Sequence, residues 1–474
     1  MTDLSPAAEA LRLLGPFPEN WVPERPGIDH DVVVVGGGHT GAGFALALQR
    51  AGIRRFSIID AATDEANSGV WLTRARMNLL RTPKNLPGPE LGVQGLSFQA
   101  WYEEHKGRQA YAELLRIPRL DWAKYISWFR GRLGLSIRYD TRLLRIEPAA
   151  DHLKLHLETG GERRIETTRK VILANGVAGS GYAYTPEALL ALPETLRAHT
   201  NDQIDIASLR GKAVAVIGAA ASAFDAAGAA LEAGAREVHL FARRDHIASV
   251  PVSRARGYPG AYDNYPHLPD ALRWRQALRF RNSGSTPTPD AVERAVKHPN
   301  FHIHLGTEWH EPQVENGRIA VALDQGRFHF DFAIAGTGFR VDLARRPELD
   351  DLAGDILLWR DRYVPPETEA DEDLGAHPYL GLGHELQEKE PGRAPQLRNI
   401  HIYNPGGFVS FGVPVGDVPS MRRDIPAVTA SISRDLFLAD LDRHAERVTS
   451  AVAPEFGEDA YRSALWGTRW QAAE

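Results

Sequence analysis

The chain has no cysteine in 474 residues. A thiol–disulfide exchange centre needs a redox-active thiol pair, and an iron–sulfur cluster needs thiolate ligands. Neither can be assembled here, and a zinc site built on Cys is excluded too. A surplus of positive charge is also missing: 55 Lys and Arg face 61 Asp and Glu, a net charge of −6. The basic face that a nucleic-acid partner requires is therefore not expected. Long apolar runs are absent as well. The longest, such as residues 32–35 and 213–217, are far too short to span a bilayer, so no membrane partner is expected. Residues 1–27 mix Asp, Glu, Pro and Arg and contain no apolar h-region, which predicts a cytoplasmic protein without a secretion signal. His152 and His156 have a metal-ligand spacing, but Leu153 stands where a zinc protease needs Glu, and the segment alternates like a strand. No metal site is expected there.

What the chain does carry is the same layout twice. Val32-Val33-Val34-Val35 is a short β-branched run of the kind found in a central parallel strand. Gly36, Gly38 and Gly41 follow in a G-x-G-x-x-G loop with His39 and Thr40 inside it, and Phe44 to Ala51 continue as a small-residue apolar helix. Such glycines permit a tight turn, close backbone approach to a pyrophosphate, and close helix–strand packing. The helix N-terminus adds free N–H groups and about half a positive charge. A second strand, Phe56 to Ile59, ends in Asp60, close to the roughly 20-residue spacing of an acid that binds a ribose hydroxyl. An acid there repels a 2′-phosphate, so this site favours FAD or NAD over NADP. Downstream, a strand near Ser136–Tyr139 and a hairpin around Leu153–Leu157 and Arg164–Thr168 lead into Val171-Ile172-Leu173-Ala174-Asn175-Gly176.

In the second copy, strand 213–217 leads into Gly218-Ala219-Ala220-Ala221-Ser222-Ala223, then a helix predicted from Phe224 to Ala233. The strand Glu237 to Phe241 ends at Ala242-Arg243-Arg244, so two arginines replace the acid. Guanidinium groups pair bidentately with a 2′-phosphate, which makes this an NADP(H) site. The second glycine is Ala220, whose methyl would hold a pyrophosphate slightly further out. Short strands near His302–His304 and Ile319–Leu323 then lead to Phe332-Ala333-Ile334-Ala335-Gly336-Thr337-Gly338-Phe339.

The order of these motifs resembles the single-component, class B flavin monooxygenases, which comprise flavin-containing, Baeyer–Villiger and N-hydroxylating enzymes. Ala174-Asn175-Gly176 is similar to their Ala-Thr-Gly segment, and Gly69-Val70-Trp71 to their Gly-x-Trp; the resemblance covers roughly residues 30–415. It implies an α/β fold of two Rossmann-like dinucleotide-binding domains, the NADP domain inserted into the FAD domain. The corresponding division is an extension 1–29, the first part of the FAD domain 30–180, the NADP domain 181–338 and the C-terminal part of the FAD domain 339–474. The implied chemistry uses tightly bound FAD, NADPH as hydride donor, and O2 activated as a C4a-(hydro)peroxyflavin that oxygenates a small organic substrate.

The subclass is not fixed. Of the Phe, Gly and His signature often found between the loops, only His199 is in place, with Pro193 and Thr195 replacing the other two. Met77 to Lys84 loosely resembles a segment of the ornithine hydroxylases and would place residues 76–84 near the flavin. Asn404-Pro405-Gly406-Gly407-Phe408 is the best candidate for a surface facing the ring, before a helix around Met421–Asp442. The expected cofactor-binding residues are thus Gly36, Gly38, His39, Thr40, Gly41, Asp60, Trp71 and Asn175 for FAD. Gly218, Ser222, Arg243, Arg244 and Gly338 serve NADPH, and Asn404, Gly407 and Phe408 complete the set. No catalytic side chain stands out. Trp122, Tyr125, Trp128 and Phe129 form a core stripe at helical spacing. Residues 254–270 read as a lid or a plain loop, and 365–373 as an acidic solvated linker. A flavin reductase or NADPH oxidase serving a quinone or protein, and a non-enzymatic nucleotide sensor, remain the alternatives; the motifs allow a homodimer without requiring one.

Overall fold

Strand β1 (His30–Val35) forms because its valines are stiff at χ1 and pack well on a pleated surface. Val32, Val33 and Val34 are fully buried, as expected for a strand covered on both faces. The computed structural model describes residues 5–324 and 326–466. In it β1 lies between parallel neighbours β2 (Phe56–Ile59) and β6 (Glu162–Leu173). Beyond β2 lies β3 (Ile137–Arg138); on the other side β5 (Leu153–Thr159) pairs antiparallel with β6, and β4 (Thr141–Pro148) antiparallel with β5. The segments 164–168 and 171–173 fuse into β6. Its outer half pairs with β5, while its apolar end supports β1. His152 and His156 face separate carboxylates, Asp151 and Glu147, at 2.9 Å each.

The chain leaves this sheet through β7 (Gly181–Ala183) and builds a second, parallel one. Its strands are β8 (Arg197–His199), β9 (Ala213–Ile217), β10 (Glu237–Phe241), β11 (Phe301–His304) and, after a small antiparallel sheet of β12 (Gln313–Glu315), β13 (Arg318–Leu323) and β14 (Gly326–Phe330), β15 (Phe332–Ala335). The return is β16 (Phe339–Val341), antiparallel to β7 with Gly181 opposite Val341. The last strand, β17 (Ile400–Ile402), rejoins the first sheet parallel to β6. The chain therefore crosses between the sheets twice along one two-stranded ribbon.

Three of the four residues of the predicted aromatic stripe, on the helix Arg119–Arg132, are core: Trp122, Tyr125 and Phe129 are buried with Leu96, Phe98 and Trp101, while half-buried Trp128 packs against them. Burying each such side chain contributes roughly 1.5–3 kcal/mol. A separate cluster joins Trp274 and Ala277, on the helix Asp270–Ser283, to Trp359, Leu374 and Val409. The acidic linker is in fact tied down. Glu369 O accepts from Trp274 Nε1 at 2.8 Å, and Asp371 caps the helix Glu372–Gly375 and binds Arg281 at 2.7 Å. Charge alone concealed these partners, which lie about a hundred residues away in sequence.

Residues up to Ser433 form one compact unit and residues from Arg434 a second. Within the second, the helix Leu441–Thr449 carries His444, stacked on Phe437 at 4.5 Å. Among the described residues no helix is long and apolar enough to cross a membrane.

Candidate functional site

The first glycine loop joins β1 to the helix His39–Arg50. Its glycines answer to different demands. Gly36 sits at φ +114°, and a Cβ there would fall 2.3 Å from Ala174 O; a Cβ on Gly41 would lie 2.0 Å from Gly36 O. Both are fixed by the protein's own packing. Gly38 has an ordinary extended backbone, φ −62°, and a Cβ on it would meet nothing within 4 Å. The protein leaves that space clear beside a helix N-terminus that no side chain caps, where backbone N–H groups point outward as an anion site requires.

Asp60 stands at the end of β2, beside this loop. Its Oδ2 accepts from Gly37 N and Ser68 Oγ, both at 2.8 Å, and its Oδ1 from Ala62 N at 2.8 Å. Three of about four acceptor positions of the carboxylate are thus in use, so it shapes the loop as well as charging it. Buried Arg130 donates to Gly37 O and, at 3.3 Å, to Ser68 Oγ. Sequence reasoning missed this cation, which sits on the helix Arg119–Arg132, far along the chain.

His39 and Trp71 are held together. The Trp71 indole N–H donates to His39 Nδ1 at 3.2 Å, so the opposite nitrogen carries the proton and donates to Gly416 O at 3.1 Å. Burial, reinforced by the Arg130 charge, pushes His39 down to about 4 and keeps it neutral. Thr40 Oγ1 reaches the same Gly416 carbonyl at 3.4 Å. The loop is thereby fastened to the chain segment that precedes the helix Val418–Ala439.

Asn175, at the end of β6, has a similar part. It donates to Glu348 Oε1 at 3.3 Å and accepts from Asn404 Nδ2 at 3.0 Å, while Asn404 Oδ1 takes Gly406 N at 3.0 Å. Asn404 is fully buried. Residues 404–412 therefore form an interior segment with two short helical turns, not a surface loop. A Cβ on Gly407 would lie 2.9 Å from Val415, and the Phe408 ring packs 5.1 Å from Phe280.

The second loop repeats the first. Gly218, φ +119°, would set a Cβ 2.3 Å from Gly336 O, as Gly36 does against Ala174. Ala220 takes the place and extended backbone of Gly38, and the helix begins at Ala221, three residues earlier than predicted. The third position of the fingerprint, Ala223, packs inside the first turn, so the helix has to include it. A cavity of about 590 Å³ opens over this loop. Gly218, exposed Ser222, Gly338, Arg243, Arg244 and Arg81 line it. Arg81 also binds buried Asp225 at 3.4 Å, while Arg76 donates to Thr200 O and Asp202 O. The basic segment 76–84 thus reaches the second sheet, except Lys84, which bonds Tyr111 O at 2.7 Å. His199 ends β8, buried against Phe339 and held below its ordinary pKa by desolvation.

Two glycine loops, each between parallel strands of its own sheet, with the chain passing from one sheet to the other and back, are the layout of a flavoprotein oxidoreductase with two dinucleotide folds. Residues 30–256 match the family described as pyridine nucleotide-disulphide oxidoreductase, although this chain lacks the thiols of that description. A FAD-dependent urate hydroxylase of Xanthomonas campestris pv. campestris is 37% identical over 428 residues, 89% of this chain and 90% of that protein. The fold is shared with ornithine hydroxylase from Pseudomonas aeruginosa (TM-score 0.64, 18% identity, 86% of this chain and 99% of that one). It is also shared with the Kutzneria ornithine N-hydroxylase described with reduced FAD, NADP+ and L-ornithine (TM-score 0.67, 16% identity, 86% and 99%). The chain belongs to the FAD-dependent flavoprotein monooxygenases, in the family of that urate hydroxylase.

Proposed function

We propose that this enzyme holds FAD at the first loop and NADPH at the second, and that it hydroxylates a small oxidised purine of the urate type. The observation that carries the cofactor order is the asymmetry of the strand ends: Asp60 at the first loop, and Arg243 and Arg244, with Arg81, around the cavity over the second. On this reading Gly36, Gly38, His39, Thr40, Gly41, Asp60, Trp71 and Asn175 surround FAD. Gly218, Ser222, Arg243, Arg244 and Gly338 surround NADPH, and Asn404, Gly407 and Phe408 back the flavin. Residues 30–180 with 339–474 then make the FAD domain and 181–338 the NADP domain. The substrate class rests on the 37% identical relative.

Bound FAD supplies the redox chemistry, accepting electrons from reduced nicotinamide and activating O2. The balance is substrate–H, O2, NADPH and H+ giving substrate–OH, water and NADP+. The chain's own residues place the groups and exclude water. His39 is held neutral between Trp71 and Gly416, and buried Asn404 fixes Asn175 and the turn at Gly406, so both hold the site's shape without adding a charge of their own. The test is turnover of purified holoenzyme with urate and NADPH under 18O2. One labelled oxygen in the organic product is expected, with NADH a much poorer donor. NADPH oxidation that yields only hydrogen peroxide, for every oxopurine tried, would point to an oxidase and overturn the reading.

A further inference from the structure

Residues 252–279 do more than bridge two elements. The stretch read from sequence as a lid or plain loop folds into short helices, Val252–Arg256 and Pro259–Asn264, before the helix Asp270–Ser283. Together they line a second cavity of about 450 Å³, open on one side to solvent, within the ~300–1,000 Å³ of small-molecule sites. It is separate from the cavity over the second glycine loop, sharing none of its lining residues.

The lining has one sign of charge. Arg256 and Arg279 contribute cations, and no carboxylate lines the cavity. The remaining polar side chains include Asn264 and Gln276, with the rings of Tyr258 and Tyr265 beside them. Two buried polar atoms have no hydrogen-bond partner: Arg256 Nη1, a donor, and Gln276 Oε1, an acceptor. Buried polar groups are ordinarily satisfied, and here an unmet donor and an unmet acceptor belong to two side chains of one cavity. The Arg256 guanidinium lies 5.3 Å from the buried Tyr265 ring, which limits its freedom to swing into solvent.

The cavity also adjoins the proposed flavin surface. A Cβ on Gly412 would lie 2.5 Å from the Tyr265 ring, so only glycine lets that wall close against residues 404–412. Tyr262 donates to Pro419 O, at the start of the helix Val418–Ala439 that follows Gly416, whose carbonyl receives His39.

We propose that this cavity is the substrate site, and that it takes a planar anionic heterocycle with C=O and N–H groups along one edge. Arg256 donates to the carbonyl edge, the Gln276 carbonyl accepts a ring N–H, Arg279 balances the negative charge, and Tyr258 covers the ring face. The proposal rests on the oxopurine reading above and names the residues that would enforce it. A cationic amine without an acidic group finds no counter-charge here.

The test is urate binding to the oxidised, FAD-loaded enzyme by equilibrium dialysis, with steady-state kinetics alongside. Gln276→Leu, Arg256→Met and the exposed Arg279→Ser are each expected to weaken urate binding at least about 10-fold, and to raise KM more than they lower kcat. Arg256→Lys should restore charge without the fork and recover only part of the loss. FAD content and the NADPH dissociation constant report whether a variant has folded. If wild type binds urate and all three folded variants bind it equally well, the site lies elsewhere while the oxopurine reading stands. If wild type neither binds nor hydroxylates urate or related oxopurines, that reading fails and the site assignment falls with it.

Discussion

At Gly36 one methyl group would sit 2.3 Å from a main-chain oxygen on a backbone held at φ +114°. At Gly38, two residues later, it would touch nothing. The two alanine variants should therefore separate folding from cofactor retention. Gly36→Ala is expected to lose about 1–3 kcal/mol from backbone strain alone, with the clash added, read as a lower urea midpoint. Gly38→Ala should keep the wild-type midpoint as apoprotein and release FAD faster on dilution. His39 and His377 make a pH prediction. Burial pushes both down to about 4 from the ordinary 6.5, so the unfolded chain binds protons that the folded one refuses. Their stabilising effect is intact above 6.5 and is lost as pH falls from there towards 4, at roughly 3 kcal/mol per histidine at most. Melting temperature measured across that range should fall, and His39→Gln should flatten part of the slope.

The elements that carry the two loops were legible because each is short, apolar and abruptly ended: β1 and β9 by their β-branched runs, their helices by small residues. The arginines that end β10 support a further expectation. Arg243→Glu or Arg244→Glu should raise KM for NADPH by about 10–100-fold, as when a hydrogen bond to a charged group is lost, and move KM for NADH far less. What stayed hidden depended on contacts distant in sequence. Arg130 beneath the first loop and Glu348 on Asn175 carry no local signature, because an isolated Arg or Glu on a helix reads as solvated surface; Arg81 belongs to the segment 76–84 that the sequence singled out, but its place in the second cavity depends on the second sheet. The segment 254–270 resisted reading for another reason: its helices are too short to establish a period. Asp60 was found by spacing, yet spacing does not reveal that Gly37, Ser68 and Ala62 already occupy most of its acceptors.

Across residues up to Ser433 the two sheets are joined by more than the ribbon of β7 and β16. Trp274 comes from the excursion through the second sheet, yet it is buried with Trp359 and Val409, beyond the return. Trp274→Ala should cost about 3–5 kcal/mol, and calorimetry should show one transition shifted, not one half of the molecule melting early. Added FAD should raise that same transition. A last consequence concerns time. The two loops match at their first glycine and differ by one methyl at the second, absent at Gly38 and present at Ala220. On the cofactor order proposed here, the guest that stays meets no methyl, and the guest that must leave after every turnover is held slightly further out by one.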